Sequence, residues 1–305
     1  MKNVLIIGSS GYIGSRLCQE LSKIHSVVGV DTTVIAGITQ TMASDYRDLT
    51  REFIQWFDVI ILLAGHSSVK MCEGNPIASF KNNVENFLTL LDKIDKSQCF
   101  IYASSSSVYG RIGKELATEE SRCFYPYNNY DLTKNIIDQY ATLSEKNYYG
   151  LRFGTVNGSS PITRDDIMIN AMTKNSLREG KIKLFFGETN RPILDIQDLC
   201  SAIERIIERN DPSLSGIYNL CSFNSTSREI AERVSEITGS TIENFDDKND
   251  TTLNRSVYDF SIDNSKFCDT FDWKPKGTTE SIIRGILSDI ENIRFVNRNE
   301  IYEYK

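Results

Sequence analysis

The sequence predicts an α/β fold, a doubly wound parallel sheet followed by a smaller α/β C-terminal domain. Short apolar runs alternate with longer segments whose apolar residues recur at helical spacing, and the first such run meets a glycine-rich turn that opens straight into a helical pattern. Composition agrees. Of 305 residues, 40% are hydrophobic and 25% charged, with only 6 Pro, which fits a globular chain and excludes collagen-like, coiled-coil and wholly disordered ones.

Taken in order, Val4–Ile7 reads as a buried strand ending at Gly8, and Tyr12–Ile24 follows with Ile13, Leu17, Leu21 and Ile24 on one helical face. Ser26–Val30 is a second strand, closed by Asp31. Phe57–Leu63 is a third, closed by Ala64-Gly65, and Cys99–Ala103 a fourth, closed by serines. Pro76–Asp95 carries Phe80, Val84, Phe87, Leu88 and Leu91 in helical register. Tyr130–Glu145 does the same with Ile136, Ile137, Tyr140 and Leu143. Strands separated by helices of this length need crossover connections, so the sheet is parallel and covered on both faces. Residues 1–155 are therefore expected to form the first domain. Over 156–305 the alternation weakens, with strands at Lys183–Phe186 and Ile217–Leu220 among helices near Asp166–Glu179, Gln197–Arg209, Thr226–Thr238 and Thr279–Ile293. This half is expected to cap the carboxyl ends of the first domain's strands, with some segments returning to that domain's core. The polar stretch Asp246–Asn254 reads as a loop.

Charge and cysteine usage narrow the function classes. The 41 Asp+Glu outnumber 34 Lys+Arg, and a net charge of -7 is a poor match to nucleic acid or anionic lipid. No apolar run approaches the ~20 residues that span a bilayer. The 7 Cys include no C-x-x-C pair and no metal-ligand spacing, so reduced thiols in the cytoplasm are expected and no metal is.

The sharpest local signal is Gly8-Ser9-Ser10-Gly11-Tyr12-Ile13-Gly14 between strand and helix. Positions without side chains permit a tight turn and let a pyrophosphate approach the helix-terminal N–H groups and the positive end of the dipole. Asp31, ending the second strand, can accept both hydroxyls of an adenosine ribose and would repel a 2′-phosphate, which favours NAD over NADP. Tyr130 and Lys134 lie four residues apart, so phenol and ammonium share one helix face, and a nearby cation would favour phenolate. The serine run Ser104–Ser107 emerges from the fourth strand at the same sheet edge as the glycine loop. His66, just past Ala64-Gly65, stands where a substrate would lie.

Taken together these residues resemble the extended short-chain dehydrogenase/reductases, specifically the NAD-dependent epimerase/dehydratase family that acts on nucleotide sugars. The landmarks occur in family order: the glycine motif, Asp31, Asp45-Tyr46, Leu63-Ala64-Gly65, Asn83, the serine loop ending Val108-Tyr109-Gly110, Tyr130 with Lys134, then Arg191–Asp198, Tyr218-Asn219 and Asp272-Trp273-Lys274-Pro275. The resemblance implies a Rossmann domain with a nucleotide-sugar domain. It implies that NAD is held by Gly8, Gly11, Tyr12, Ile13, Gly14, Asp31, Asp45, Tyr46, Leu63, Ala64, Gly65, Asn83, Ala103, Tyr130, Lys134 and Phe153. Tyr130 would be the acid/base at a sugar carbon, usually carbon 4; Lys134 would lower its pKa and grip the nicotinamide ribose, and Ser105 would hydrogen-bond the reacting oxygen. Arg191 and Arg255 would meet the nucleotide diphosphate, and Ser106, Thr155 and His66 the sugar. Dehydratases of the family carry Asp-Glu where this chain has Ser106-Ser107, so dehydration is not expected. A 4-epimerase leads, a dehydrogenase or 4-keto reductase would use the same residues, and a non-catalytic NAD-binding scaffold is the rival from another class. Relatives pair the helices corresponding to Asn75–Asp95 and Tyr130–Glu145 in a four-helix bundle, so a homodimer is expected.

Overall fold

The computed structural model describes residues 1–35, 41–110, 112, 115–123, 125–245 and 258–296. The loop expected at Asp246–Asn254, and Arg255 beside it, lie outside the described residues. Seven strands form one parallel sheet in the spatial order Gly216–Leu220, Asn147–Phe153, Cys99–Ser105, Val59–Leu62, Asn3–Ile7, Ser26–Asp31, Thr41–Ala43. The chain runs outward from Asn3–Ile7 to Thr41–Ala43, then resumes on the other side with Val59–Leu62. Strand order thus reverses beside Asn3–Ile7, and the loops leaving the carboxyl ends there diverge into a crevice. Gly8 and Ala64-Gly65 occupy those ends.

The first strand shows why both faces are covered. Val4 and Ile6 join one apolar layer with Leu17 and Leu21 of helix Tyr12–Leu21 and Leu199 and Ile203 of helix Ile196–Arg209. Leu5 and Ile7 join the opposite layer with Phe87 and Leu91 of helix Asn86–Lys93 and Ile137 and Ala141 of helix Asn129–Leu143. Successive side chains point to opposite faces of a strand, so an unbroken apolar run needs a helix on each.

Segments from beyond residue 155 complete this domain: Gly216–Leu220 is the seventh strand, and Ile196–Arg209 packs on Tyr12–Leu21. The rest of the second half has its own core, where Ile169 and Met172 of helix Met168–Glu179 meet Ile230 and Val234 of Ser227–Thr238 and Ile282 and Ile286 of Thr279–Ser288. Strand Asn190–Asp195, between Phe223–Thr226 and Thr155–Asn157, links the two cores. The strand expected at Lys183–Phe186 runs instead over Lys181–Leu184, paired with Thr241–Asn244. The predicted helix Pro76–Asp95 is broken by a π-helical turn at Lys81–Glu85 between Pro76–Phe80 and Asn86–Lys93. Among the described residues no helix is long and apolar enough to cross a membrane, no disulfide forms, and no cluster could hold a metal.

Candidate active site

The glycine turn seats a helix directly on a strand end. Gly8 has φ +93, its N–H donates to the Val30 carbonyl at 2.8 Å, and a Cβ there would stand 2.6 Å from the Ala64 nitrogen. A Cβ on Gly14 would stand 2.0 Å from the Gly8 oxygen. No side chain caps helix Tyr12–Leu21 at Gly11, so its first N–H groups remain for a ligand. They face a cavity of about 650 Å³ lined by Gly8, Gly11, Tyr12, Ile13, Gly14, Asp31, Asp45, Tyr46, Leu63, Ala64, Gly65 and His66. The Asp31 carboxylate is aimed by two backbone donors, Ser10 N at 3.0 Å and Thr33 N at 3.1 Å. A glycine cradle, open helix N–H groups and an oriented carboxylate fit a dinucleotide with a free ribose diol. The Tyr12 phenol serves otherwise, donating to the Gly158 carbonyl at 2.9 Å and so tying the glycine helix to the second half of the chain.

Asn83 does not line the cavity. Its side chain clamps the loop that does, accepting from His66 N at 2.8 Å, donating to the His66 carbonyl at 3.0 Å and reaching Thr133 Oγ1 at 3.2 Å. The π-helical turn carries this residue, as such turns do at functional sites.

Ser105, Tyr130 and Lys134 come together outside the cavity lining. Ser105 ends strand Cys99–Ser105 and Tyr130 opens helix Asn129–Leu143, with the Ser105 hydroxyl placed to favour the phenolate of Tyr130. Lys134 Nζ donates to the Ala103 carbonyl at 2.6 Å and stands 5.9 Å from the centre of the Tyr130 ring. A buried ion pair fixes the helix: Asp138 accepts from Arg152 Nε at 2.8 Å and from the Tyr102 hydroxyl at 3.1 Å, and Arg152 also donates to the Tyr109 hydroxyl at 2.9 Å.

The electrostatics depart from expectation. Burial pushes the Tyr130 phenol up to about 12 and the Lys134 ammonium down to about 8. Against burial on Tyr130 work the Ser105 hydroxyl and the guanidinium of Arg164. Burial thus holds Tyr130 as a phenol, with the Lys134 ammonium beside its ring and the Arg164 guanidinium favouring ionisation. Sequence reasoning missed this residue. Arg164 lines the cavity, grips Asp166 through Nε at 2.9 Å and Nη2 at 2.6 Å, and sits on strand Ile162–Arg164, paired with Arg294–Val296. Its one sequence signal, an arginine before two aspartates, is too common to single out.

The expected sugar contacts divide. His66 lines the cavity, half-buried, its ring nitrogen Nδ1 2.6 Å from Ser79 Oγ, and burial favours its neutral form. Ser106 turns inward: it is buried and donates to the Phe153 carbonyl at 2.8 Å, which makes it a fastener between serine loop and sheet rather than a sugar contact. Ala103, Phe153 and Thr155 lie outside the cavity lining; Thr155 opens strand Thr155–Asn157. Arg191 is largely buried beside Tyr258 and Asp259, and its Nε has no hydrogen-bond partner among the described residues.

The sequence matches the family described as the NAD dependent epimerase/dehydratase family over residues 4–221. It is 25% identical over 310 residues to a GDP-6-deoxy-D-mannose reductase of Pseudomonas aeruginosa, covering 95% of this chain and 98% of that one. To a UDP-glucose 4-epimerase of Lactobacillus helveticus it is 26% identical over 273 residues, 77% of this chain and 82% of the relative. The fold superimposes on UDP-glucuronic acid 4-epimerase from Bacillus cereus, solved with UDP-glucuronic acid and NAD, with a TM-score of 0.80 at 22% identity, covering 95% and 99% of the two chains.

Proposed function

The chain belongs to the NAD-dependent epimerase/dehydratase family, and from that premise we propose that it is a nucleotide-sugar 4-epimerase with Tyr130 as acid/base. The observation that carries the reading is the convergence of Ser105, Tyr130 and Lys134 at the carboxyl edge of the sheet, next to a cavity shaped for a dinucleotide.

When bound, NAD supplies the two-electron oxidant. The glycine turn and Asp31 would hold its pyrophosphate and adenosine ribose, and Lys134, fixed by the Ala103 carbonyl, would hold its other ribose. Tyr130 takes the proton of a sugar hydroxyl and returns it on the reverse step, while Ser105 orients the reacting oxygen. Burial favours the protonated phenol, and the cations Arg164 and Lys134 beside Tyr130 would favour its conversion to a base. Arg191, whose Nε has no partner among the described residues, would meet the diphosphate. Serines at 106 and 107, the first of them turned inward, leave no carboxylate in that loop for water loss.

A 4-keto reductase is the second reading, favoured by the match to a reductase over nearly the whole chain. Incubation with NAD and UDP-glucose, UDP-glucuronic acid and GDP- or dTDP-linked hexoses tests the epimerase, which forms an epimer without accumulating NADH; the reductase instead requires a 4-keto nucleotide sugar and consumes NADH in stoichiometric amount. Full turnover by Tyr130→Phe refutes both.

Ile77 and Leu143, 84% and 83% exposed on the two helices expected to pair, support a homodimer, which solution mass will test. Cysteines without disulfides suit the reducing cytoplasm, the proposed location.

A further inference from the structure

Two short strands far apart in the chain, Ile162–Arg164 and Arg294–Val296, pair side by side, with Arg294 opposite Ile162, Phe295 opposite Thr163 and Val296 opposite Arg164. Side chains alternate along a strand, so this ribbon has two faces. One carries Ile162, Arg164, Arg294 and Val296, and all four line the dinucleotide cavity. The other carries Thr163 and Phe295. Thr163 is fully buried, its hydroxyl donating to the Ser160 carbonyl at 2.6 Å, and Phe295 packs against the core of the second half with the Lys174 ammonium 5.5 Å from its ring centre. Backbone bonds hold the ribbon at both ends, from Arg294 N to the Pro161 carbonyl at 2.9 Å and from Asp165 N to the Val296 carbonyl at 3.1 Å. Strand Ile162–Arg164 also packs on helix Tyr12–Leu21, whose uncapped first turn borders the same cavity.

The two cations of the cavity face differ in what already holds them. Arg164 is largely buried, and Asp166 occupies two of its guanidinium nitrogens. Arg294 is exposed as well as lining the cavity, so it stands at the mouth, and its guanidinium has neither hydrogen bond nor ion pair among the described residues. The carboxylates of the lining are engaged elsewhere: Asp45 holds Arg47 at 2.7 Å, and Asp31 accepts from the N–H groups of Ser10 and Thr33. A guanidinium fork and an uncapped helix N-terminus on one cavity suit a ligand with adjoining negative charges. In NAD only the pyrophosphate carries them. We propose that Arg294 is a cofactor-binding residue that meets the NAD pyrophosphate together with the glycine turn. Strand Arg294–Val296 is then a wall of the cofactor site, and because Phe295 seats that strand on the second core, both halves of the chain hold the cofactor.

Arg294→Gln removes the charge at an exposed position and leaves the backbone pairing in place, so Tm without NAD should stay at the wild-type value. Calorimetric titration should show Kd for NAD rising about tenfold. Arg294→Lys, which keeps the charge but not the fork, should recover part of that loss, and Arg294→Glu should exceed it. Raising NaCl from about 0.1 to 1 M shortens the Debye length from about 10 to about 3 Å, so the gap between wild type and Arg294→Gln should narrow. Adenosine, which lacks phosphate, should bind both proteins alike. A Kd for NAD within about twofold of wild type in Arg294→Gln and Arg294→Glu, or an equal loss for NAD and adenosine, overturns the assignment. The inference rests on NAD being the cofactor of the proposed enzyme, and its titrations need no sugar. A wild type that binds NAD but turns over no nucleotide sugar therefore refutes the 4-epimerase alone, and the Arg294 variants still decide the phosphate contact.

Discussion

Two helical glycines with opposite surroundings test how closely the cofactor turn is built. An alanine Cβ at position 14 would lie 2.0 Å from the Gly8 oxygen, whereas ordinary contact begins at 3.4 Å, so helix Tyr12–Leu21 must retreat by roughly 1.4 Å. Gly8 cannot yield instead, because its N–H is bonded to Val30 and its Cα lies against the Ala64 backbone. Overpacking of this kind costs about 3 kcal/mol. At about 2 to 4 °C per kcal/mol for a chain of this size, Gly14→Ala should lose at least about 6 °C in Tm. The same retreat carries the helix-terminal N–H groups out of hydrogen-bond range of a pyrophosphate. One such contact is worth about 1.5 to 3 kcal/mol, so Kd for NAD should rise roughly tenfold to a hundredfold. Gly285, inside helix Thr279–Ser288, has nothing within 4 Å of a built Cβ. Gly285→Ala should raise Tm by about 1 to 3 °C by restricting the unfolded chain. Differential scanning fluorimetry with and without NAD, and calorimetric titration of NAD, measure both. Gly14→Ala binding NAD within about twofold of wild type, at unchanged Tm, would refute this account of the turn.

Asp31→Ser removes the charge that excludes a 2′-phosphate, so the NAD-to-NADP affinity ratio should fall at least about tenfold, read by titration of both cofactors. Lys134, at about 8 in the folded chain against 10.5 when free, is released by the folded state before the unfolded one. Between those values the unfolded chain holds the extra proton, so raising pH favours folding; the stability of wild type relative to Lys134→Met should climb from about pH 8 to 10.5, followed by urea melts. Arg152→Met strands the buried Asp138 carboxylate and should cost about 3 to 5 kcal/mol, most of it recovered when Asp138→Leu is added, as denaturant melts will show.

Much of this was legible in the sequence because it is local. The run Val4–Ile7 could only be a strand covered on both faces. The spacing of Gly8, Gly11 and Gly14 between a strand and a helix pointed to close approach of a dinucleotide, and a four-residue step on a helix brought Tyr130 and Lys134 to one side. What the sequence could not carry were relations between distant segments. Arg164 reaches the site on a strand paired with residues 132 positions later, Ser106 faces inward because the end of strand Asn147–Phe153 offers it a carbonyl, and Asn83 clamps the distant His66 loop from a π-helical turn. The protonation of Tyr130 and Lys134 lay beyond the sequence for the same reason. Spacing along a helix sets which groups are neighbours, but the charge they carry depends on how much water the rest of the fold excludes from them, and only tertiary packing decides that.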